Sequence, residues 1–316
     1  MKAAAVDIGT NSVRLLVADI ERRDEGFSLS TLHRLMSITR LGEGVDEEGR
    51  LRPSAVERTL DVLRDYRRLM DEEGVEDLQV AATSAVREAG NAGLFRRRVE
   101  EITGKEPRVL SGEEEARLSF LGATYDLGGL RPRSGPVLVA DIGGGSTEVI
   151  LGEGEEIREV FSVDVGCVRM SERFLRSDPP THEERERMER FLEKALSPVV
   201  EKVKGYGPAL MIGLAGTVTT LSGIKLGLPA YDGEAIHHSW LTSREVEGLY
   251  ERLLALPVEE RRRFMRLEPG RADVIAGGTA VLLALLRGLG QERLLVSEKD
   301  ILDGLVIDLC RGRRGA

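Results

Sequence analysis

Apolar residues fall along this chain in two rhythms. Apolar runs at 3–6 and 137–140, and largely apolar ones at 13–18 and 147–151, have strand length and flank short glycine-containing turns. Elsewhere apolar positions recur at helical spacing, as in Val56, Leu60, Leu63 and Leu69, the stripe of a helix with one buried face. Ser54-x-x-Glu57 ahead of that stripe reads as a capping box, and Thr181-x-x-Glu184 and Thr242-x-x-Glu245 open two more helices, the first running to about residue 204. Residues 78–82 predict a strand that ends in Thr83-Ser84-Ala85-Val86-Arg87. Asn91 caps a predicted helix through 102, stopped by Gly104. A short strand at 108–110 then leads through Ser111-Gly112 into a helix at 113–125. Further on come a buried strand at 208–214, a turn at Gly216-Thr217-Val218-Thr219-Thr220 entering a helix, and an alanine-rich buried helix at 271–289. A last strand at 293–297 and a last helix at 301–310 complete the pattern. Strands alternating with helices predict layered α/β architecture.

The pattern repeats once. Val6-Asp7-Ile8-Gly9-Thr10-Asn11-Ser12 is echoed 134 residues later by Ala140-Asp141-Ile142-Gly143-Gly144-Gly145-Ser146. Each copy reads as strand, glycine turn, strand, with an aspartate at the turn's entry. Glycine turns let backbone N–H groups approach an anion, because no Cβ stands in the way. A lone D-x-G turn is an ordinary hairpin, but two copies at domain-scale separation predict two related domains.

Composition adjusts this picture. The 316 residues hold 54 acidic and 45 basic side chains, a net charge of −9, which speaks against a nucleic-acid coat. Aromatics are few (7 Phe, 5 Tyr, 1 Trp), so a stacking platform for single strands is not expected either. Cys167 and Cys310 form no spaced framework, which predicts reduced thiols and a cytoplasmic location. The early charges Asp7, Arg14 and Asp19 break any signal-peptide core. The uncharged run 205–224 contains five glycines, and reads as a glycine-rich loop between buried elements rather than a membrane span.

Five segments together resemble the exopolyphosphatase and guanosine pentaphosphate phosphohydrolase (Ppx/GppA) family of the actin-like, sugar-kinase-like and heat-shock-chaperone ATPase superfamily. They are 6–12, 83–87 with Ala82, Ser111-Gly112-Glu113-Glu114-Glu115-Ala116, Asp141 through Glu148, and 216–220, in family order. The resemblance implies two ribonuclease-H-like domains facing each other across a central cleft. The first would be 1–124, with the helix at 300–316 packed back on it, and the second 125–299. It also implies Mg²⁺ or Mn²⁺, hydrolysis of a terminal phosphoanhydride, and inorganic polyphosphate or guanosine penta- or tetraphosphate as substrate. A homodimer with no nucleic-acid or membrane partner is expected.

Phosphoanhydride hydrolysis needs neutralised phosphate charge, a positioned water and in-line geometry. Backbone N–H groups at Gly9, Thr10, Asn11 and Ser12 and at Gly143, Gly144, Gly145 and Ser146 suit a phosphate, with Thr83, Ser84, Thr147, Gly216 and Thr217 as further contacts. Arg87 fits either a phosphate contact or an ion pair. The resemblance places Asp141 and Glu148 at the metal and the nucleophilic water, with Asp7 nearby. In the acidic triplet, Glu113 and Glu114 are explained by the helix dipole and a Ser111-x-x-Glu114 capping box. Glu115 is left at the position of the family's catalytic glutamate, as general base. The adjacent His237 and His238 are expected to be structural, since neighbours in sequence do not share a face. The arginine runs 96–98, 261–263 and 311–314 read as solvated faces that could steer a long anion.

The chain departs from the family pattern in two places. It stops soon after Cys310, without the C-terminal helical domain of longer members, and Leu302 stands where members carry an arginine of a domain-closing pair. Exopolyphosphatase is the first reading and pentaphosphate 5′-phosphohydrolase the second. A small-acceptor kinase and a nucleotide-gated actin-like assembly module are rivals from other classes. The net negative charge then predicts strict divalent-cation dependence and a local basic path.

Overall fold

The computed structural model describes residues 1–23, 26–154 and 156–312, without the side chains of 22, 23, 26 and 27. The chain divides into two compact units, Met1–Gly122 with the segment from Ile301, and Ala123–Asp300.

In the first unit, β1 (Lys2–Ile8), β2 (Ser12–Arg23) and β3 (Gly26–Ile38) form an antiparallel meander. Helices α1 (Val45–Glu48) and α2 (Pro53–Glu73) lead to β4 (Asp77–Ala82), which lies parallel to β1 on its other side. After α3 (Ser84–Glu88) and α4 (Ala92–Thr103) comes β5 (Arg108–Val109), giving the sheet order β3-β2-β1-β4-β5. Helix α5 (Gly112–Thr124) follows.

The second unit repeats this order with β6 (Val137–Ile142), β7 (Thr147–Glu153) and β8 (Glu156–Val163) as its meander. Then come α6 (Cys167–Phe174), α7 (His182–Lys204), β9 (Leu210–Leu214), α8 (Ala215–Lys225), α9 (Gly233–Ile236), β10 (Trp240–Thr242), α10 (Ser243–Ala255), α11 (Val258–Phe264), α12 (Ile275–Leu289) and β11 (Arg293–Val296). Its sheet runs β8-β7-β6-β9-β11-β10, the same order extended by an antiparallel edge strand. Helix α13 (Ile301–Gly312) closes the described chain in the first unit. This is the ribonuclease-H-like order in both units.

The central strands are buried on both faces, with alternate residues going to opposite sides of the sheet. One face of β1 and β2 packs Val6, Ile8, Val13 and Leu15 against Leu60 and Leu63 of α2. The other face packs Ala3, Ala5 and Leu16 against Leu118 of α5 and Leu302, Leu305 and Val306 of α13. In the second unit α12 is apolar on nearly every face and sits in the core.

Several expectations are corrected. Helix α2 starts at Pro53 with Arg52 at its N-cap and no side-chain cap, so Ser54 and Glu57 form no capping box. Proline at the first helical position supplies the fixed φ instead. Asn91 holds the N-cap position of α4 but turns its amide to the backbone of Leu51, donating to its oxygen and accepting from its N–H. The glycine-rich stretch at 205–224 is not a loop: most of it is strand β9 and helix α8. Gly216 to Thr220 lie inside α8, and Arg271 belongs to a short 3₁₀ turn, Pro269–Arg271, ahead of α12. The boxes at Thr181–Glu184 and Thr242–Glu245 form. Among the described residues, no helix is long and apolar enough to cross a membrane.

Candidate active site

The two repeated turns have one geometry. Gly9 donates its N–H to Ser12 O at 3.0 Å, and Gly143 donates to Ser146 O at the same distance. A Cβ on either glycine would lie 3.1 Å from that carbonyl, so glycine fits both positions. The turn carbonyls are spent on neighbouring segments. Asn11 O accepts from Thr39 and Arg40 N–H, and Thr10 O from Gly42. In the second unit Gly143 O accepts from Cys167, and Gly144 O from Val168 and Arg169, at the first turn of α6. Arg169 Nε adds a bond to Gly145 O at 2.8 Å. Among the described residues, the N–H groups of Thr10, Asn11, Gly144, Gly145 and Ser146 donate to no backbone acceptor. Carbonyls committed to one side leave donors for an anion on the other.

Asn11 adds a sharper sign. Its side-chain Oδ1 and Nδ2 are both buried, and neither has a hydrogen-bond partner. A buried, unsatisfied amide costs about 1–3 kcal/mol unless a ligand completes it. Thr10 and Ser84 tie their hydroxyls together at 2.8 Å, joining the first turn to the start of α3. Thr83 beside them donates its N–H to Ile8 O and accepts from Arg87 N–H. Ser146 is buried, whereas the Thr147 hydroxyl is committed to Val165 O at 2.5 Å.

The repeat differs where charge matters. In the first hairpin Asp7 stands opposite Arg14, whose Nη2 and Nε lie 2.6 and 3.0 Å from Asp7 Oδ2. In the second, the same register pairs Asp141 with Glu148. Directly opposed residues share a face, and two opposed like charges destabilise a hairpin. Both carboxylates are buried, and Glu148 Oε1 accepts from Ser162 Oγ at 2.8 Å. Hard oxygen donors so placed fit a divalent cation of the Mg²⁺ class, which takes one or two carboxylates and keeps its waters. Asp7, neutralised by Arg14, fits a metal less well.

Glu115 lies in the first turn of α5 and is nearly buried. Glu114 forms the capping box with Ser111 and pairs with Arg108 at 2.6 Å, leaving Glu115 outside both. Arg87 Nη1 donates to Leu110 O at 2.8 Å and to Glu115 Oε2 at 3.3 Å. The ion pair weighed for Arg87 therefore exists, and its partner is Glu115 itself.

Gly216 and Thr217 open α8 just after Ala215, whose φ of 67° is strained for a residue with a Cβ. A Cβ on Gly216 would collide with the Arg271 guanidinium, and one on Gly278 with Thr217 Oγ1. Arg271, buried and 3.8 Å from Glu268, is the residue that sequence reasoning missed beside this turn. No motif marks it; only its place ahead of a glycine-containing helix could have done so. Burial pushes the Glu268 carboxyl up and the Cys167 thiol up, and neither cysteine is in a disulfide.

Other expectations divide. Arg96 pairs with Glu106, Arg98 with Glu57 and Arg262 with Glu259, so these are solvated ion pairs. Arg261 is instead buried, donating to Leu253 O and Ala272 O. Arg313 and Arg314 lie outside the described residues. Leu302 is buried in the apolar cluster under α13, while the neighbouring Asp303 pairs with Arg34 at 2.5 Å.

A model of the Ppx/GppA phosphatase family matches residues 19–311. The chain belongs to that family. It is 40% identical to exopolyphosphatase 2 of Mycobacterium tuberculosis over 98% of each chain. Among solved structures, the Aquifex aeolicus Ppx/GppA family member is 36% identical with a TM-score of 0.82, covering 100% of this chain and 99% of that one. An exopolyphosphatase from Cytophaga hutchinsonii is 27% identical with a TM-score of 0.89, covering 99% and 98%.

Proposed function

We propose that this chain is an exopolyphosphatase, releasing orthophosphate from the end of inorganic polyphosphate by attack of water on the terminal phosphorus. The observation that carries the reading is the Asp141–Glu148 pair, two buried carboxylates opposed across a hairpin whose Gly144, Gly145 and Ser146 N–H groups donate to no backbone acceptor. Such a pair asks for a cation, and the turn asks for an anion. Metal-bound phosphate supplies both. The near-full-length likeness to an exopolyphosphatase supports the choice of substrate.

In this reading Asp141 and Glu148 hold Mg²⁺ or Mn²⁺, which when bound neutralises charge on the phosphate oxygens. The N–H groups of Gly144 through Ser146 and of Thr10 and Asn11 cradle phosphate oxygens, those of Gly9 and Gly143 being held within their own turns, and the Asn11 amide adds a side-chain donor. Glu115 accepts the proton of the attacking water, and Arg87 orients its carboxylate from Oε2. Gly216 and Thr217 form a further contact in the second unit, with Arg271 placed over Gly216. Glu115, a buried carboxylate, suits the activation of water as the nucleophile.

The test is phosphate release from short polyphosphate, long polyphosphate, guanosine pentaphosphate and ATP, each with Mg²⁺ and with excess chelator. The proposal expects release from polyphosphate with metal only. Preference for the pentaphosphate would move the assignment to the family's other activity, and no release from any substrate would overturn the enzyme.

A further inference from the structure

His237 and His238 are not the separated neighbours that their adjacency predicts. His238 adopts φ 60°, and this left-handed turn swings its ring onto that of His237, with centroids 3.7 Å apart. Both rings face one carboxylate. His237 Nε2 lies 3.1 Å from Asp126 Oδ2 and His238 Nε2 lies 3.7 Å from Asp126 Oδ1. Lys299 Nζ reaches the same carboxylate at 3.6 Å. Glu298 gives its backbone N–H to His237 Nδ1 at 3.1 Å, while its side chain accepts from Tyr231 Oη at 2.6 Å.

Asp126, His237 and His238 bring their ligand atoms within 4.8 Å of one another, the spacing of a metal site. The hydrogen bonding opposes a metal. Because His237 Nδ1 accepts from Glu298 N–H, its Nε2 carries the proton and points it at Asp126. A ligating imidazole needs the opposite tautomer, with Nε2 bare. The Lys299 ammonium on the same carboxylate further disfavours a cation.

The placement of the cluster gives it another use. The chain enters the second unit at Ala123 and leaves it at Asp300. Asp126 lies just past the end of α5, the helix that carries Glu115, and Lys299 lies just before α13. We propose that Asp126, His237, His238 and Lys299 form a proton-operated clasp on the two stretches of chain by which this unit is entered and left. At neutral pH one carboxylate joins both stretches to the stacked rings. In acid, a proton on His238 puts a second cation beside the Lys299 ammonium with only the Asp126 carboxylate to balance both, and the clasp opens.

The sign follows from His238. Burial first, then the neighbouring His237, hold its imidazole below the ordinary value, against the pull of Asp126. The open form, with an ordinary imidazole, therefore takes up protons more readily than the closed one. Closure is fully supported above the usual imidazole range, near pH 6.5, and is lost as pH falls from there toward the depressed closed-state value.

Amide hydrogen exchange of the full chain at pH 7.5 and pH 5.5, corrected for the intrinsic rate, tests the clasp at segments 120–128 and 297–303. The wild type should show a several-fold acceleration of opening in acid. His238→Asn keeps a residue that tolerates the left-handed backbone but does not titrate, and should flatten that acceleration. Asp126→Asn removes the shared carboxylate and should open both segments at either pH. An acid response in His238→Asn equal to the wild type's would overturn the proposal. So would slow exchange in Asp126→Asn at pH 7.5, or protection of the wild type by micromolar Zn²⁺, which would mark a metal site instead.

Discussion

At the scale of single residues, one exchange separates two hairpins of the same geometry. Arg14 faces Asp7 in the first, and Glu148 faces Asp141 in the second. The first pair sets opposite charges against each other; the second sets two carboxylates against each other. With excess chelator, Glu148→Gln removes one of them and should raise the melting temperature by about 2–4 °C, the equivalent of about 1 kcal/mol in a unit of this size. With Mg²⁺ present the order should reverse, because the wild type gains metal binding and the variant does not. Thermal melts in the two buffers read this directly, and a variant still stabilised by Mg²⁺ would remove Glu148 from the metal. Glu115→Gln tests the other carboxylate. It keeps the shape that Arg87 contacts, so the fold should survive while turnover falls by roughly 10²–10⁴, the usual cost of losing a positioned base. Unchanged turnover would hand the proton to another group.

At the scale of elements, the phosphate turn owes its shape to a helix placed against it. Helix α6 takes the Gly143 and Gly144 carbonyls on its first N–H groups, and Gly166 at its N-cap leaves no room for a Cβ against Gly144 O. Gly166→Ala should therefore push α6 off the turn, costing about 1–3 kcal/mol of stability. It should also raise KM for polyphosphate well before the fold is lost, whereas wild-type kinetics would mean that α6 does not set the turn. Helix α6 is also what periodicity did not reveal. Cys167, Val168, Met170 and Ser171 are its buried positions, a mixed stripe too short to stand out between a strand and the long charged α7. The hairpins, α5 and α13 were legible because their patterns are local: apolar runs around a glycine turn, a capping box, an apolar face. The third strands were not, since β3 mixes Ser, Thr, His and Arg with its leucines and the other meander's edge strand β8 is only half buried. The Ser54–Glu57 box failed because Pro53 had already fixed the start of the helix. Arg271 failed because its place ahead of α12 is a weak sign and its partner Gly216 is distant in sequence.

At the scale of the whole molecule, a net charge of −9 sits beside a proposed polyanion substrate. Long-range field would slow the approach of polyphosphate, and the arginine runs at 96–98 and 261–263 do little to offset it where their side chains are paired or buried. The attraction must then be short-range, from turn N–H groups and a bound cation, and this makes metal a condition of binding as well as of chemistry. Two consequences can be measured together. Mg²⁺ at about a hundred times its dissociation constant should stabilise the unit that holds Asp141 and Glu148 by about 2.7 kcal/mol, an effect that chelator removes. Equilibrium binding of non-hydrolysed short polyphosphate to the Glu115→Gln chain should weaken in chelator along the same titration. Rising salt should weaken it only modestly, since contacts at hydrogen-bond range are screened far less than a diffuse basic surface. A steep salt dependence with no metal dependence would place recognition on surface arginines instead, and would take the carboxylate pair out of the substrate site.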